Sequence, residues 1–367
     1  MDSNSVEPIS PPGDARPASA RSHSPPAPSR KVIDPDGDLS LKIPPSNACK
    51  DPDHEHQLPL TFVVCSRTLS RASHIWKALL HGRYAESKPS CASSASDWVV
   101  ELPDVNPKAL ETILNIIHSR FESLPRTTDL VSLEDLYQLT LWTYEYDLTA
   151  ILRPWASVWM KSAREKHESW RRNNTSPVTS DLERLSWIAS EMGDAALLDS
   201  VLRDLAIHCP ADARGNPQNN TGTEIVGLFN STAEPLQFYD AVRVERLMFV
   251  ENLLAIYSDA IAAVCRGTSD DKKRKACDAG TLGTIILSLA SSGYWPLPAA
   301  TDIRKDVTKL VADLSNIDIS SPFHGSCTGI PGRSEKIKYC LATPLEYTSL
   351  PGIKERMAKQ SAKLGID

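Results

Sequence analysis

Short apolar runs followed by amphipathic helical patterns dominate the first half of the chain. Between Val99 and Phe121, an apolar run ends at Pro103-Asp104, a pair whose residue types favour a turn. The positions i, i+3, i+4 and i+7, which share one side of a helix, are then occupied by Leu110, Ile113, Leu114 and Ile117. This pattern predicts a strand, a turn and a helix whose apolar face belongs to the core.

The stretch upstream predicts a hairpin and a further strand. Two β-type runs within Lys31–Ile43 flank Asp36-Gly37, a pair typical of tight turns because positive φ costs little there. A third apolar run, Thr61–Cys65, predicts another strand, and a helical pattern follows it. We therefore expect a small sheet with helices packed on it.

Helix start and stop signals recur along the rest of the chain. Ser132 and Asp135 have the spacing of a capping box, and Pro154 predicts that a helix restarts there. Gly193-Asp194 predicts a break followed by a new N-cap. Apolar residues at helical spacing predict further helices around residues 182–192, 197–205, 282–289 and 307–314, and a long helix from Pro235 in its first turn to Gly267.

Composition divides the chain into segments. Its 367 residues suffice for two or three domains, and hydrophobic and charged fractions of 41% and 23% are ordinary for a globular protein. The first 30 residues are rich in Ser and Pro and lack a periodic apolar face, which predicts disorder. We predict a disordered tail over 1–30, an α+β domain over 31–168, a helical domain over 180–318 and an irregular His/Cys-containing tail over 319–367.

Charge and targeting signals restrict the location and the partners. A net charge of −6 argues against direct nucleic-acid binding, which requires concentrated Lys and Arg. The N-terminus resembles no secretory or transit signal, and Glu251 and Asp259 interrupt the most apolar later stretch, so no membrane span is expected. We expect a soluble intracellular protein, cytoplasmic or nuclear, with reduced cysteines.

Catalytic motifs are not apparent in the sequence. It has no Gly-rich phosphate loop and no His-Glu-x-x-His motif. Ser66, Ser70 and Ser73 suit helix starts, since none lies in a Gly-x-Ser-x-Gly elbow. We expect a protein without enzymatic activity and without a cofactor.

Two sets of residues raise the question of a metal site. His54-Glu55-His56 could bind a metal, although a loop rich in Pro and Asp favours solvated side chains. The second set comprises Cys265, Cys277, His324, Cys327 and Cys340. Zinc prefers closely paired ligands and only His324 and Cys327 are close in sequence, so structural thiols are favoured over a metal.

A basic cluster offers a candidate localisation signal. It follows Asp270-Asp271 and consists of Lys272, Lys273, Arg274 and Lys275. Short basic clusters in accessible loops act as nuclear import signals. The alternative is a solvated linker whose aspartates offset the charge.

The order of motifs resembles a BTB/POZ domain of the type found in many filamentous-fungal proteins. The motifs are DPDGDLSL, FVVCSRTLSRASHIWKALL, VVELPDVNPKALETILNIIHSRF and LEDLYQLTLWTYEYDLTAILRPWASVW. The resemblance covers about Val32 to Trp159, and the following segments are similar to the helical extension of those fungal proteins. It implies helices packed on a small sheet and an activity of protein–protein association, with homodimerisation and, in some members, docking of a cullin ubiquitin-ligase scaffold.

The resemblance also carries candidate binding residues. Asp38 matches the family's Asp before the second strand, and Tyr84-Ala85-Glu86 fits the hydrophobic-x-Glu element used for cullin docking. Cys65 stands where animal members usually have His, and Ser66 where they have a basic residue, so their charged dimer pocket does not carry over. We expect a non-catalytic adaptor and oligomerisation module. The alternatives are a substrate receptor of a cullin-based ubiquitin ligase and a nuclear transcriptional regulator.

Overall fold

Four short strands and twelve α-helices make up the described residues, so the fold is of the α+β class. The computed structural model of the chain describes residues 29–45, 59–91, 94–103, 105–124, 132–173, 179–218, 238–266, 272–323, 329–342 and 346–365. The strands are β1 (Ser29–Val32), β2 (Leu39–Ile43), β3 (Leu60–Val64) and β4 (Val99–Glu101). The helices are α1 (Ser66–Ala72), α2 (His74–His81), α3 (Pro107–Ile117), α4 (Leu133–Glu145), α5 (Arg153–Arg172), α6 (Thr179–Glu191), α7 (Ala195–His208), α8 (Phe238–Arg266), α9 (Lys272–Ser291), α10 (Val307–Ser315), α11 (Arg333–Ala342) and α12 (Pro351–Leu364).

The sheet has the strand order β1-β3-β2-β4. β1 runs parallel to β3, β2 runs antiparallel to β3, and β4 runs parallel to β2. The predicted hairpin is therefore wrong: β1 and β2 form where expected, but β3 lies between them. All four residues of β1 are exposed, which suits an edge, whereas β2 and β3 are largely buried and occupy the centre.

The turn between β1 and β2 nevertheless forms around Asp36-Gly37. The Gly37 N–H donates to the Asp34 carbonyl at 3.1 Å. A Cβ at Gly37 would come within 2.8 Å of the Val64 carbonyl oxygen, so the close approach of the turn to β3 requires glycine. β1 also begins at Ser29, inside the segment predicted to be disordered, and residues 1–28 lie outside the described part.

The predicted strand, turn and helix of 99–121 are confirmed as β4 and α3. Asn106 caps α3 through its side chain, which accepts from the Ala109 N–H, and Pro107 occupies the first turn. Ile117 is half-buried, while the other predicted core residues of α3 are fully buried: Leu110, Ile113 and Leu114.

Helix starts agree with several of the predicted caps. Ser73 caps α2 by accepting from two backbone N–H groups, and its hydroxyl donates to the Tyr146 carbonyl at 2.6 Å. Ser132 and Asp135 form the predicted capping box of α4. A 3₁₀ turn, Thr149–Leu152, separates α4 from α5, and Pro154 lies in the first turn of α5 as expected.

The second half of the chain is helical, as predicted. Gly193 has φ +69° and ends α6, and the Asp194 side chain then caps α7 by accepting from the Leu197 N–H. One buried hydrophobic cluster is continuous through the regions predicted as two domains. The ring of Tyr144 on α4, for example, meets that of Trp187 on α6 edge-on, with centroids 5.2 Å apart.

Helix α8 is central to this second half. Among the described residues, it is the one helix whose length and composition would permit a membrane span. In the structure it packs against α7, α10 and α11. Its buried Arg246 donates to the carbonyls of Cys209, Ile303 and Lys305 at 3.2, 2.8 and 2.8 Å. The buried residues of α8 run from Phe238 to Tyr257, so this part of the helix belongs to the core.

The segment 319–367, predicted to be irregular, contains α11 and α12. Ile353, Met357 and Leu364 recur at helical spacing on α12 and are buried. Pro351 stands at its start and Gly365, with φ +64°, at its end. These are ordinary helix signals that the sequence analysis missed. The helix packs back onto the 3₁₀ turn Thr149–Leu152 and onto α6.

Candidate partner-binding loop

The loop of residues 82–88, here called the Tyr84 loop, displays one of the most exposed aromatic residues in the described chain. Tyr84 is 60% exposed. α2 ends at His81, and the loop begins with Gly82, where a Cβ would lie 2.2 Å from the Ala78 carbonyl oxygen. Glycine therefore lets the backbone leave the helix sharply and bring Tyr84 to the surface.

Hydrogen bonds hold the Tyr84 loop to the end of α2. The Tyr84 N–H donates to the Ser87 hydroxyl at 3.2 Å, and that hydroxyl donates to the Leu79 carbonyl at 3.0 Å. The Lys88 N–H donates to the Leu80 carbonyl at 3.0 Å. These bonds fix the backbone of the loop beneath Tyr84.

The buried side chain of Trp98 contacts the backbone of the loop. It donates its indole N–H to the Glu86 carbonyl at 2.9 Å. The Lys88 ammonium lies 5.4 Å from the centre of the Trp98 ring, within cation–π range. The hydrogen bond from Trp98 reaches the backbone of Glu86. Among the described residues, none forms a hydrogen bond or ion pair with the Glu86 carboxylate.

Asp38 connects the sheet to this loop. Its Oδ1 accepts from the Ser66 N–H at 2.8 Å, and its Oδ2 accepts from the Ser66 hydroxyl at 2.9 Å and from Lys88 Nζ at 3.2 Å. Burial opposes ionisation, but the hydrogen bonds from Ser66 and Lys88 outweigh it and hold the pKa of Asp38 below its ordinary value. Asp38 thus holds the N-terminus of α1 and the Tyr84 loop together.

The three predicted binding residues therefore lie in one region, linked through Lys88. Sequence analysis named Asp38 and the pair Tyr84 and Glu86 as separate candidates, and it missed Lys88 and Trp98. Lys88 follows a loop serine and Trp98 precedes a three-residue strand, and neither position carries a recognisable motif. Their role depends on contacts with residues 50 and 12 positions away.

The basic cluster had been expected in a loop, but the structure places it in a helix. Lys272 begins α9, and the cluster forms the first turn of that helix, with Lys275 exposed. Its role as an import signal remains a prediction.

The candidate metal ligands are dispersed in the described residues. Cys277 is buried, with its Sγ 3.0 Å from the Ser321 hydroxyl, whereas Cys340 is half-buried and Cys265 is exposed. No group of three or more potential ligands occurs in the part of the chain that the structure describes. His324, Cys327 and the His54-Glu55-His56 stretch lie outside it.

Comparisons of the chain with protein-family models, with curated proteins and with solved structures found no match.

Proposed function

We propose that the chain is a non-catalytic protein–protein interaction and oligomerisation module with a BTB/POZ-like first part and a helical extension. The observation that carries this proposal is the Tyr84 loop, a surface loop anchored at both ends that exposes a large aromatic side chain. Aromatic residues on rigid scaffolds are typical anchors of protein interfaces. The packing of helices on a small sheet agrees with the family's expected architecture.

Homodimerisation follows from the resemblance, and the exposed edge of the sheet supports it. Among the described residues, strand β1 pairs only with β3, and Val32 at its end is 49% exposed, although its carbonyl accepts a hydrogen bond from Arg120 Nη1 at 2.9 Å. An edge strand offers its remaining N–H and C=O groups to a second strand. In this proposal, the β1 edge lies in the interface between two copies.

Sedimentation velocity at micromolar concentration tests the dimer. The full chain should sediment as a dimer, and Val32→Glu should shift it toward the monomer because a charge would be buried in the interface. Val244→Glu is the matched control, because Val244 is 58% exposed on α8. A strictly monomeric wild-type chain would contradict the proposal.

A second candidate is a substrate receptor of a cullin-based ubiquitin ligase. It is favoured by the exposed Tyr84 and by the Glu86 carboxylate, which no described residue engages. In this proposal the ring and the carboxylate contact the cullin, and the rest of the loop fixes their geometry.

Co-precipitation with a cullin tests this candidate. Tyr84→Ala and Glu86→Ala should each abolish capture without lowering the melting temperature, because neither side chain belongs to the core. Tyr339→Ala, which removes a 74% exposed tyrosine on α11, is the control and should leave capture intact. Capture that persists in both loop variants would exclude the loop as the docking site.

A further inference from the structure

Two aromatic rings and a valine form an exposed strip beside the end of β1. The Phe121 ring, in the 3₁₀ turn Phe121–Ser123, is 49% exposed. It meets the half-buried ring of Trp155 on α5, with centroids 5.7 Å apart and planes inclined by 46°. Val158, which is 38% exposed, lies one helical turn after Trp155 on the same side of α5. Phe121, Trp155 and Val158 are here called the aromatic strip.

The end of α3 brings Phe121 to the surface. Ser119, with φ +59°, ends the helix in the left-handed conformation. Its N–H donates to the Ile116 carbonyl at 3.1 Å, and the Arg120 N–H donates to the Asn115 carbonyl at 2.8 Å, which is the pattern of a Schellman motif. The backbone that leads into the exposed ring is therefore held by hydrogen bonds.

Trp155 combines a supported ring with an unused hydrogen-bond donor. The buried Trp159 ring stacks on it with centroids 6.0 Å apart, and this contact fixes its orientation. Among the described residues, none accepts a hydrogen bond from the Trp155 indole N–H. The strip therefore offers one donor next to an apolar platform of two inclined rings.

This combination suits a ligand in the polyproline II conformation. A polyproline II segment has no internal hydrogen bonds, so its carbonyls accept from outside donors, and its proline rings pack on aromatic faces. It loses little conformational entropy on binding, because it is already extended. A β-strand would instead need a row of backbone N–H and C=O groups, which a surface made of side chains does not provide.

The N-terminal segment of the chain contains such a ligand. Residues 1–28, which lie outside the described part, include seven prolines. Residues 8–12, with the sequence PISPP, have the P-x-x-P spacing that is typical of polyproline II recognition motifs. The chain then enters the described fold at Ser29, the first residue of β1.

The linker between residues 8–12 and β1 is long enough to reach the strip. A random-coil linker of 16 residues, the length of residues 13–28, has an r.m.s. end-to-end distance of about 20–24 Å. β1 spans about 10 Å, and at its end the Val32 carbonyl accepts from Arg120 Nη1 at 2.9 Å. The distance from Ser29 to the strip is therefore one short strand plus one arginine side chain. A second P-x-x-P sequence, residues 25–28, joins β1 directly and leaves no linker for a return.

We propose that residues 8–12 dock on the aromatic strip of the same chain as a polyproline II segment. The rings of Pro8 and Pro11 pack on Phe121 and Trp155, and a carbonyl between them accepts the hydrogen bond of the Trp155 indole N–H. The docked segment closes this surface to other proline-rich ligands. The inference does not rest on the proposed dimer.

A labelled peptide of residues 5–15 tests the proposal by fluorescence anisotropy with the full-length chain. In the wild type, the tethered segment competes with the peptide at an effective concentration of about 1 mM. A chain with Pro8→Ala, Pro11→Ala and Pro12→Ala lacks this competitor. If the strip binds the peptide with a dissociation constant of about 0.1 mM, the apparent affinity should be about tenfold higher for this tail variant than for the wild type.

Further variants place the peptide on the strip. Phe121→Ser, added to the tail variant, should lower the peptide affinity at least about tenfold. Tyr339→Ser changes a 74% exposed ring on α11 and is the matched control, which should leave the affinity unchanged. If Phe121→Ser lowers the melting temperature, Val158→Asp at the exposed end of the strip takes its place, with the same loss of affinity expected.

Three results would overturn the proposal. Equal peptide affinity for the wild type and the tail variant would show that the N-terminal segment does not occupy the strip. Undiminished binding to the strip variants would place the peptide elsewhere. Sedimentation of the tail variant as a dimer that excludes the peptide would identify a second copy of the chain as the occupant.

Discussion

At the scale of single residues, the hydrogen bonds of His118 determine which nitrogen of its neutral ring carries the proton. Its Nδ1 lies 2.9 Å from the Leu114 carbonyl oxygen, and its Nε2 accepts from the Cys65 N–H at 3.1 Å. Only the neutral tautomer with the proton on Nδ1 satisfies both groups. Burial lowers the pKa of His118, because the charged imidazole is poorly solvated there.

This geometry predicts acid sensitivity. Because the pKa of His118 is lower in the folded chain than in the unfolded chain, its contribution to stability is complete above the unfolded value, about 6.5. The contribution should decrease as the pH falls below that value. Urea unfolding of the wild type should show this loss, and His118→Gln should lose less stability over the same pH interval. An equal loss in both proteins would show that other groups cause it.

Glu183 on α6 shows the opposite shift. The residue is buried, and no described residue forms a hydrogen bond with its Oε1. Burial raises the pKa of Glu183 to about 7, although the charge of Arg184 opposes the shift. An acid whose pKa is raised on folding is most stabilising when protonated, so this contribution falls as the pH rises from about 4.3 through 7.

Glu183→Gln should therefore stabilise the chain at alkaline pH. Glutamine stays neutral, and the free energy of unfolding should rise by about 2 kcal/mol above pH 7 and change little below about pH 4. Denaturant titrations at the two pH values measure the difference. Asp240→Gln on the exposed face of α8 is a control that should show no such pH dependence.

At the scale of elements, local signals were sufficient for the helices and insufficient for the sheet. The α3 pattern and the Ser132–Asp135 cap involve residues within one or two turns, so sequence spacing predicts them directly. The hairpin prediction was wrong because β3 lies between β1 and β2 in the sheet. This pairing depends on a strand that is distant in sequence, so the local turn signal at Asp36-Gly37 could not predict it. α12 was missed for a different reason: its three buried aliphatic residues are sparse among charged ones.

Leu114 tests the central helix. Leu114→Asp places a carboxylate on the buried face of α3, and a buried unpaired charge should cost at least about 4 kcal/mol and strongly lower the melting temperature of the chain. Lys77→Asp introduces the same side chain at an exposed position of α2 and should leave the melting temperature within a few degrees. An unchanged melting temperature for Leu114→Asp would refute the assignment of α3 to the core.

At the scale of the whole molecule, the two predicted domains share their core. Trp187 is buried on α6 and contacts Tyr144 on α4, and His167 on α5 lies 2.7 Å from Asp204 on α7. The sequence analysis divided these regions into domains at 31–168 and 180–318. The contacts between them could be seen only once the helices were placed in three dimensions.

The shared core predicts cooperative unfolding. Trp187→Ala removes a fully buried ring and should cost about 3–5 kcal/mol. Because the core is continuous, hydrogen exchange should accelerate equally in β2 and β3 of the first half and in α7 of the second. Acceleration confined to α6 and α7 would show that the halves unfold independently.

The packing of α12 onto α6 has a consequence for synthesis of the chain. The hydrogen-bond partners of the buried Glu191, at the end of α6, are Thr149, which is made earlier, and Arg356 and Gln360, which follow it by 165 and 169 residues. A ribosome therefore exposes α6 long before the cation that pairs with this carboxylate has been translated. Until α12 emerges, the nascent chain must keep Glu191 hydrated, so the junction of the two halves can close only after α12 has been translated. A chain stalled before Arg356 would thus be a natural substrate for chaperones, even with every strand of the sheet in place.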